Sequence, residues 1–208
     1  MTTQSRASSR SRSRRPSAQT NRLQIRVFSE GKKTESIYLT NWHRLYRGQV
    51  IVSMAPHEHT APFELTESAA AQRRRDLREA SRGRGAAFDQ YWCIFDVDEH
   101  PKIPEALDMA SANNINVALS SPCLELWFLI HFDNQTGYID RREAQRRSKE
   151  ILGCSKALTQ AALDMLVANY ETAKSRAEAL AAKHRGDGSS QPWNPQSEVW
   201  RLVDIIRS

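Results

Sequence analysis

Three carboxylates fall within four residues at Asp96-Val97-Asp98-Glu99, directly after the apolar run Tyr91-Trp92-Cys93-Ile94-Phe95. The run reads as a buried strand over 91–95, so the acids sit at its C-terminal end. Like charges at that range repel one another, and a neighbouring cation offsets the repulsion. Oxygen clusters of this kind suit hard divalent ions. A divalent metal site is the sharper reading. A strand entering a solvated acidic loop is the plainer one, and Asp-x-Asp alone does not choose between them.

A second acid bears on that choice. Leu23-Gln24-Ile25-Arg26-Val27-Phe28 alternates like a strand and stops at Ser29-Glu30-Gly31-Lys32-Lys33-Thr34-Glu35, before a helical pattern through Trp42. Glu30 therefore stands at another strand-to-helix turn. In open α/β sheets, sites form outside the carboxyl ends of the strands. If the two strands are parallel neighbours, Glu30, Asp96 and Asp98 converge. Gly31-Lys32-Lys33-Thr34 superficially matches the end of a phosphate-binding loop. That loop needs glycine at position 26, which is Arg26, and Ser or Thr after Lys32, where Lys33 stands. The motif is rejected. An acid, a flexible Gly31 and a helix N-terminus able to favour anions are what survive.

The elements that must position these groups alternate. A second strand is expected over 49–54 and a helix over 65–81, with Thr66 as a possible cap and Gly83 and Gly85 at its end. Arg73, Arg74, Arg75 and Arg78 on that helix read as a solvated face. His57-Glu58-His59 follows Pro56 in a loop with no further ligand nearby, which argues against a metal there. A short helix over 105–113 precedes a strand over 115–119. Ser121 is then a plausible N-cap and Pro122 a first helical residue. The helix they open, through Leu124-Glu125-Leu126-Trp127-Phe128-Leu129-Ile130-His131, is apolar nearly all round and must be buried. Glu125 inside it needs a partner, either a salt bridge or a place in the acidic cluster. His131 ends the helix, where the dipole favours a cation; proton transfer or a phosphate contact is the competing role. A long helix over 156–184 and an amphipathic helix through Val199, Leu202, Val203 and Ile206, capped by Asn194-Pro195-Gln196-Ser197, complete the chain. Four strand–helix alternations predict an α/β domain with a mostly parallel sheet of about four strands and helices on both faces.

Composition narrows the setting. No apolar run approaches the roughly 18 residues that span a bilayer. Cys93, Cys123 and Cys154 are odd in number and far apart, which excludes a zinc ribbon or a disulfide framework and suits a reducing cytoplasm. The net charge of +6 belongs to the N-terminus: residues 1–22 carry six Arg and no acid, leaving 24 basic against 24 acidic residues beyond them. Residues 1–21 form a Ser/Arg-rich tail unable to fold alone. Such a tail adds salt-sensitive, sequence-independent affinity for nucleic acid, or else is a solubilising segment or a leader. The folded domain is expected over 22–208.

Ser29-Glu30-Gly31-Lys32-Lys33-Thr34-Glu35, Phe95-Asp96-Val97-Asp98-Glu99, Ser120-Ser121-Pro122-Cys123-Leu124-Glu125-Leu126-Trp127 with its trailing His131-Phe132, and Asn194-Pro195 before a helix together resemble the RloB-like family. The family has Asn where this chain has Ser121. RloB-like proteins are similar to Toprim-fold proteins, with one Glu after the first strand and an Asp-x-Asp after a later one. The resemblance implies a Toprim-like (Rossmannoid) fold, those acids at Glu30, Asp96 and Asp98, and a cytoplasmic role in prokaryotic anti-phage defence beside an AAA- or ABC-type ATPase.

The expected chemistry is Mg²⁺- or Mn²⁺-assisted phosphodiester hydrolysis of DNA or RNA. Asp96 and Asp98 would hold metal, and Glu30 would ligate metal or act as general base. Glu99 and Glu125 would complete a second site. Lys32, Lys33 and His131 would neutralise charge on the phosphate. Two rivals use the same acids: a catalytically silent sensor or regulatory subunit that gates an ATPase, and a nucleotidyl transferase.

Overall fold

The computed structural model describes residues 22–58, 61–97, 100–188 and 192–208. The tail over 1–21, together with His59, Asp98 and Glu99, lies outside the described residues. Within them, strands β1 (Leu23–Ser29), β2 (Val50–Met54), β3 (Gln90–Asp96) and β4 (Asn116–Ser121) are parallel, in the order β2-β1-β3-β4. A two-residue strand β5 (Gln196–Ser197) runs antiparallel along the outer side of β4. The architecture is α/β with a mostly parallel sheet, as the alternation of elements predicts.

Period-two alternation sends the strand residues to two cores. Ile25, Val27, Trp92, Ile94 and Ala118 face α1 (Thr34–Tyr46) and the C-terminal helices, whereas Phe28, Tyr91, Cys93, Phe95 and Leu119 face α2 (Pro62–Ser81) and α3 (Ile103–Ala112). Both faces are therefore covered, which is why β3 reads as a near-continuous apolar run, while β1 keeps Gln24 and Arg26 half-buried among its apolar residues. The chain leaves β1 to one side for β2 and then crosses back over β1 to β3. Between β1 and β3 the strand order reverses, and a crevice opens there at the carboxyl edge. Ser29 pairs with Ile94 in the register, so Glu30 and Asp96 are delivered to the two lips of that crevice.

Helix α4 (Leu124–Leu129) is buried apart from Glu125. Its Trp127 indole N–H donates to the Tyr38 hydroxyl at 2.8 Å, which fixes α4 against α1. Three further helices pack on the same side: α5 (Arg141–Leu152), α6 (Gln160–Ala168) and α7 (Tyr170–Gly186), followed by α8 (Val199–Arg207).

Several local expectations are corrected. Helix α2 starts at Pro62 with Ala61 as N-cap; Thr66 lies inside it, its hydroxyl donating to the Pro62 carbonyl at 2.8 Å. Proline suits a first helical turn, and threonine satisfies itself on the carbonyl four residues back. Ser121 is the last residue of β4, and α4 begins only at Leu124, after Cys123. The single helix over 156–184 is two helices meeting at Asn169, the first capped by the Thr159 hydroxyl. Gln196 and Ser197 form strand rather than a helix cap.

His131 also departs from expectation. It is 1 % exposed, packed edge-on against Trp127. Its Nδ1 lies 2.7 Å from the Trp127 carbonyl and so donates to it, while Nε2 is buried without a hydrogen-bond partner. Burial lowers its pKa to about 4, so the ring is neutral, and desolvation outweighs any gain from the helix end. The unfolded chain takes up this proton near pH 6.5, whereas the folded chain does so only near 4. Stability is therefore full above pH 6.5 and falls as pH drops toward 4, by on the order of 3 kcal/mol. Urea unfolding of His131→Phe should lose this part of the acid sensitivity; an unchanged pH profile would contradict the assignment.

Candidate active site

The crevice between β1 and β3 holds a cleft of about 630 Å³, whose lining includes Glu30, Glu35, Asp96, Glu125 and Arg141. Asp96 shares the strand face of Trp92 and Ile94, and this parity aims it at α4 and α5. Its Oδ1 accepts the Leu124 amide N–H at 2.9 Å, at the first turn of α4. Its Oδ2 accepts Arg141 Nη2 at 3.1 Å, from the first residue of α5. Its own amide N–H donates to Glu30 Oε2 at 3.2 Å. The other Glu30 oxygen lies 3.4 Å from His100 Nε2. One buried carboxylate thus ties β3, α4 and α5 together, and through its amide reaches the acid after β1.

Glu35 is the acid that the sequence reading passed over. It lies in the first turn of α1, buried, and its Oε1 accepts the Gly31 amide N–H at 2.9 Å. A Cβ at position 31 would stand 2.2–2.6 Å from the Glu35 carboxylate, so a larger residue there would displace that carboxylate from its hydrogen bond. Glu125 is the one half-buried residue of α4 and lines the same cleft. Its place is with the acids.

Burial and neighbouring acids raise the cost of ionising Asp96 and Glu35. The Asp96 carboxyl is pushed well above the ordinary range, first by burial and then by the charges of Glu30 and Glu125, with Arg141 opposing. Glu35 is pushed up too, chiefly by burial, while its hydrogen bond to Gly31 opposes. Cys123 is buried next to this cluster, and its thiol is likewise pushed up, which leaves it an inert core group rather than a nucleophile.

The rim has the opposite sign. Lys32 and Lys33 are exposed at the mouth, and Lys156 faces them from the loop between α5 and α6. That loop is pinned to α1 because the Thr34 hydroxyl donates to the Lys156 carbonyl at 3.0 Å. The structure thus groups Glu30, Lys32, Lys33, Asp96 and Glu125 around one cleft, and adds Glu35, His100, Arg141 and Lys156. His131 is not part of it; it lies beyond the opposite end of α4.

The donor set is the kind that hard divalent cations take, all carboxylate oxygen, and the negative charge around Asp96 is what a cation would offset. Among the described residues, no three His, Cys, Asp or Glu side chains already converge on one point at coordination range. Asp98 and Glu99, two further acids that follow Asp96 in the sequence, lie outside them.

A family model described as RloB-like protein matches residues 25–206, nearly the whole chain. The chain belongs to the RloB-like family. Curated proteins and solved structures return no significant match. The matched span contains both lips of the crevice and α5, whose first residue supplies Arg141. Among the described residues, this RloB-like chain has no helix long and apolar enough to cross a membrane.

Asp96→Asn keeps an oxygen for the Leu124 amide and removes the charge. Arg141 is about a third exposed and can turn to water. A carboxyl with a raised folded-state pKa contributes fully at low pH and loses that contribution as pH rises through the raised value. The metal-free variant should therefore melt a few degrees above wild type at neutral pH, with the difference vanishing near pH 3–4. Calorimetry across that range checks it. A variant less stable than wild type at neutral pH would mean that the Arg141 pairing outweighs the burial of the charge.

Proposed function

We propose that this chain is a metal-dependent nuclease of the RloB-like, Toprim-type kind that hydrolyses phosphodiesters in prokaryotic anti-phage defence. One observation carries the reading: Glu30, Asp96 and Glu125 line a single cleft at the reversal point of the sheet, under a rim of lysines. Asp96, Glu30 and Glu125 would hold Mg²⁺ or Mn²⁺, joined by Asp98 and Glu99, which follow Asp96 in the sequence. The ion, when bound, polarises a phosphoryl oxygen and makes a bound water more acidic.

The chain's own groups do the rest. Lys32, Lys33 and Lys156 attract the phosphate backbone and neutralise its charge at the mouth. Glu30, held by the Asp96 amide, has a second oxygen beside His100 from which a proton can be taken or passed. Arg141 sits within reach of both the acids and an incoming phosphate, and its planar fork suits two phosphoryl oxygens. His131 has no part in this scheme, being neutral and buried elsewhere.

A second reading has its own support. Both oxygens of Asp96 are already satisfied by protein donors, which is also how a purely structural acid would be held. Under it the chain is a silent sensor or regulatory subunit, gating an ATPase of the AAA or ABC type in the cytoplasm.

Incubation of the full chain with plasmid DNA, single-stranded DNA and total RNA, with Mg²⁺ or Mn²⁺, separates the two. The nuclease reading expects cleavage that falls to background in Asp96→Ala/Asp98→Ala. It also expects the cation to raise the melting temperature of wild type but not of that variant. A cation-independent melting temperature, with no cleavage alone or with a copurifying ATPase, would favour the silent subunit.

A further inference from the structure

Tyr138 is the most exposed large aromatic of the described chain, at 78 %. It is not a loose loop tip. Its neighbour Ile139 is buried, and the Asn194 side chain grips that residue's backbone from both sides. Asn194 Oδ1 accepts the Ile139 N–H at 3.2 Å, and Asn194 Nδ2 donates to the Ile139 carbonyl at 3.0 Å. Asp140 then caps α5 by accepting the Glu143 N–H at 2.9 Å, and Arg141 reaches Asp96. Four consecutive residues thus provide an exposed ring beside an anchored backbone, a buried anchor, a helix cap and a cation at the acid cluster.

Tyr138 borders a second cleft, of about 620 Å³, over the ends of β3 and β4. Arg141 lines both this cleft and the acidic one, and Arg142 lines the Tyr138 side. An exposed tyrosine on the same cleft lining as two arginines has the chemistry of a base platform next to a phosphate track. A protein-docking face would instead cluster apolar side chains; the other exposed large hydrophobics, Leu45, Leu77 and Met165, sit on α1, α2 and α6.

We propose that Tyr138 stacks a nucleobase of a single-stranded nucleic acid whose backbone crosses Arg141 and Arg142 into the acidic cleft. The inference rests on the nuclease reading for its direction and adds the substrate class. A duplex does not satisfy the site, because the bases inside it have both faces covered by their neighbours, whereas an unpaired base offers a free face to the ring. Asn194 is a positioning residue here, since it holds Ile139 and so sets where Tyr138 and Arg141 stand.

The test is fluorescence anisotropy with the full chain in EDTA. The probes are labelled single-stranded DNA, single-stranded RNA and a blunt DNA duplex, each about 12 nucleotides long, a typical single-strand site size. Moderately high salt suppresses the sequence-independent contribution of basic groups. Tyr138→Ala should weaken single-strand binding by roughly ten-fold, the scale of one lost base stack, and leave duplex binding unchanged. Tyr138→Trp should restore it. The single-stranded DNA and RNA arms identify which polymer is preferred. Single-strand binding by Tyr138→Ala within about two-fold of wild type, equal losses for duplex and single strand, or no single-strand binding by wild type would each overturn the proposal. Stacking that depends on Tyr138 without any metal-dependent cleavage would instead sink the nuclease reading and leave the single-strand site standing.

Discussion

A carboxylate buried at the end of a central strand is an expensive group, and Asp96 shows how much structure is needed to keep one there. Its side chain accepts the first amide of α4 and the first side chain of α5, while its backbone amide holds Glu30. A helix N-terminus and an arginine are the two neighbours best suited to oppose the charge. They do not cancel it, since burial and the adjacent acids still push the carboxyl well above its ordinary range. The fold thus brings together groups that would be more stable apart. Arrangements of that kind persist at functional sites, where a bound partner offsets the cost.

Much of this was legible in the chain, for identifiable reasons. An alternating run for β1 and an apolar run for β3, each ending in an acid, located Glu30 and Asp96, because a polar break marks the end of a buried strand. The four parallel strands followed from alternation with helices. What escaped was set by distance in space. Arg141 belongs to the site only because α5 begins beside the N-terminus of α4, a juxtaposition with no local signature. Gln196 and Ser197 become strand only by pairing with Ser121 and Ser120, and two residues leave no periodicity to read. Glu35 does have a local signal, an acid four residues after a glycine at the start of a helix. His131 is neutral because the dipole argument holds for a helix end in water, and this one is buried.

The motif Asn194-Pro195 shows a similar conversion of sequence into position. Read locally, it opens a helix. In the fold, the Asn194 amide spans to Ile139, 55 residues away, and satisfies both backbone groups of that residue. A buried residue between an exposed tyrosine and a helix cap would otherwise leave two polar groups without partners, at a cost of about 1–3 kcal/mol each. The same side chain therefore serves stability and the placement of Tyr138 and Arg141 at once.

Charge balance beyond residue 22 does not weigh against nucleic acid, because it is the depth of the charges and not their sum that a polyanion meets. Asp96 and Glu35 are buried and Glu125 half-buried in the cleft, whereas Lys32, Lys33, Arg142 and Lys156 are exposed around it. A phosphate approaching through water first meets cations, and interactions at longer range are screened beyond about 8–10 Å of saline. The acids are felt only inside the cleft, where the low dielectric strengthens them and where a cation, if bound, would offset their repulsion of a phosphate. An acidic floor under a basic rim therefore suits the proposed entry of a phosphate backbone, and a net charge near zero does not count against that proposal.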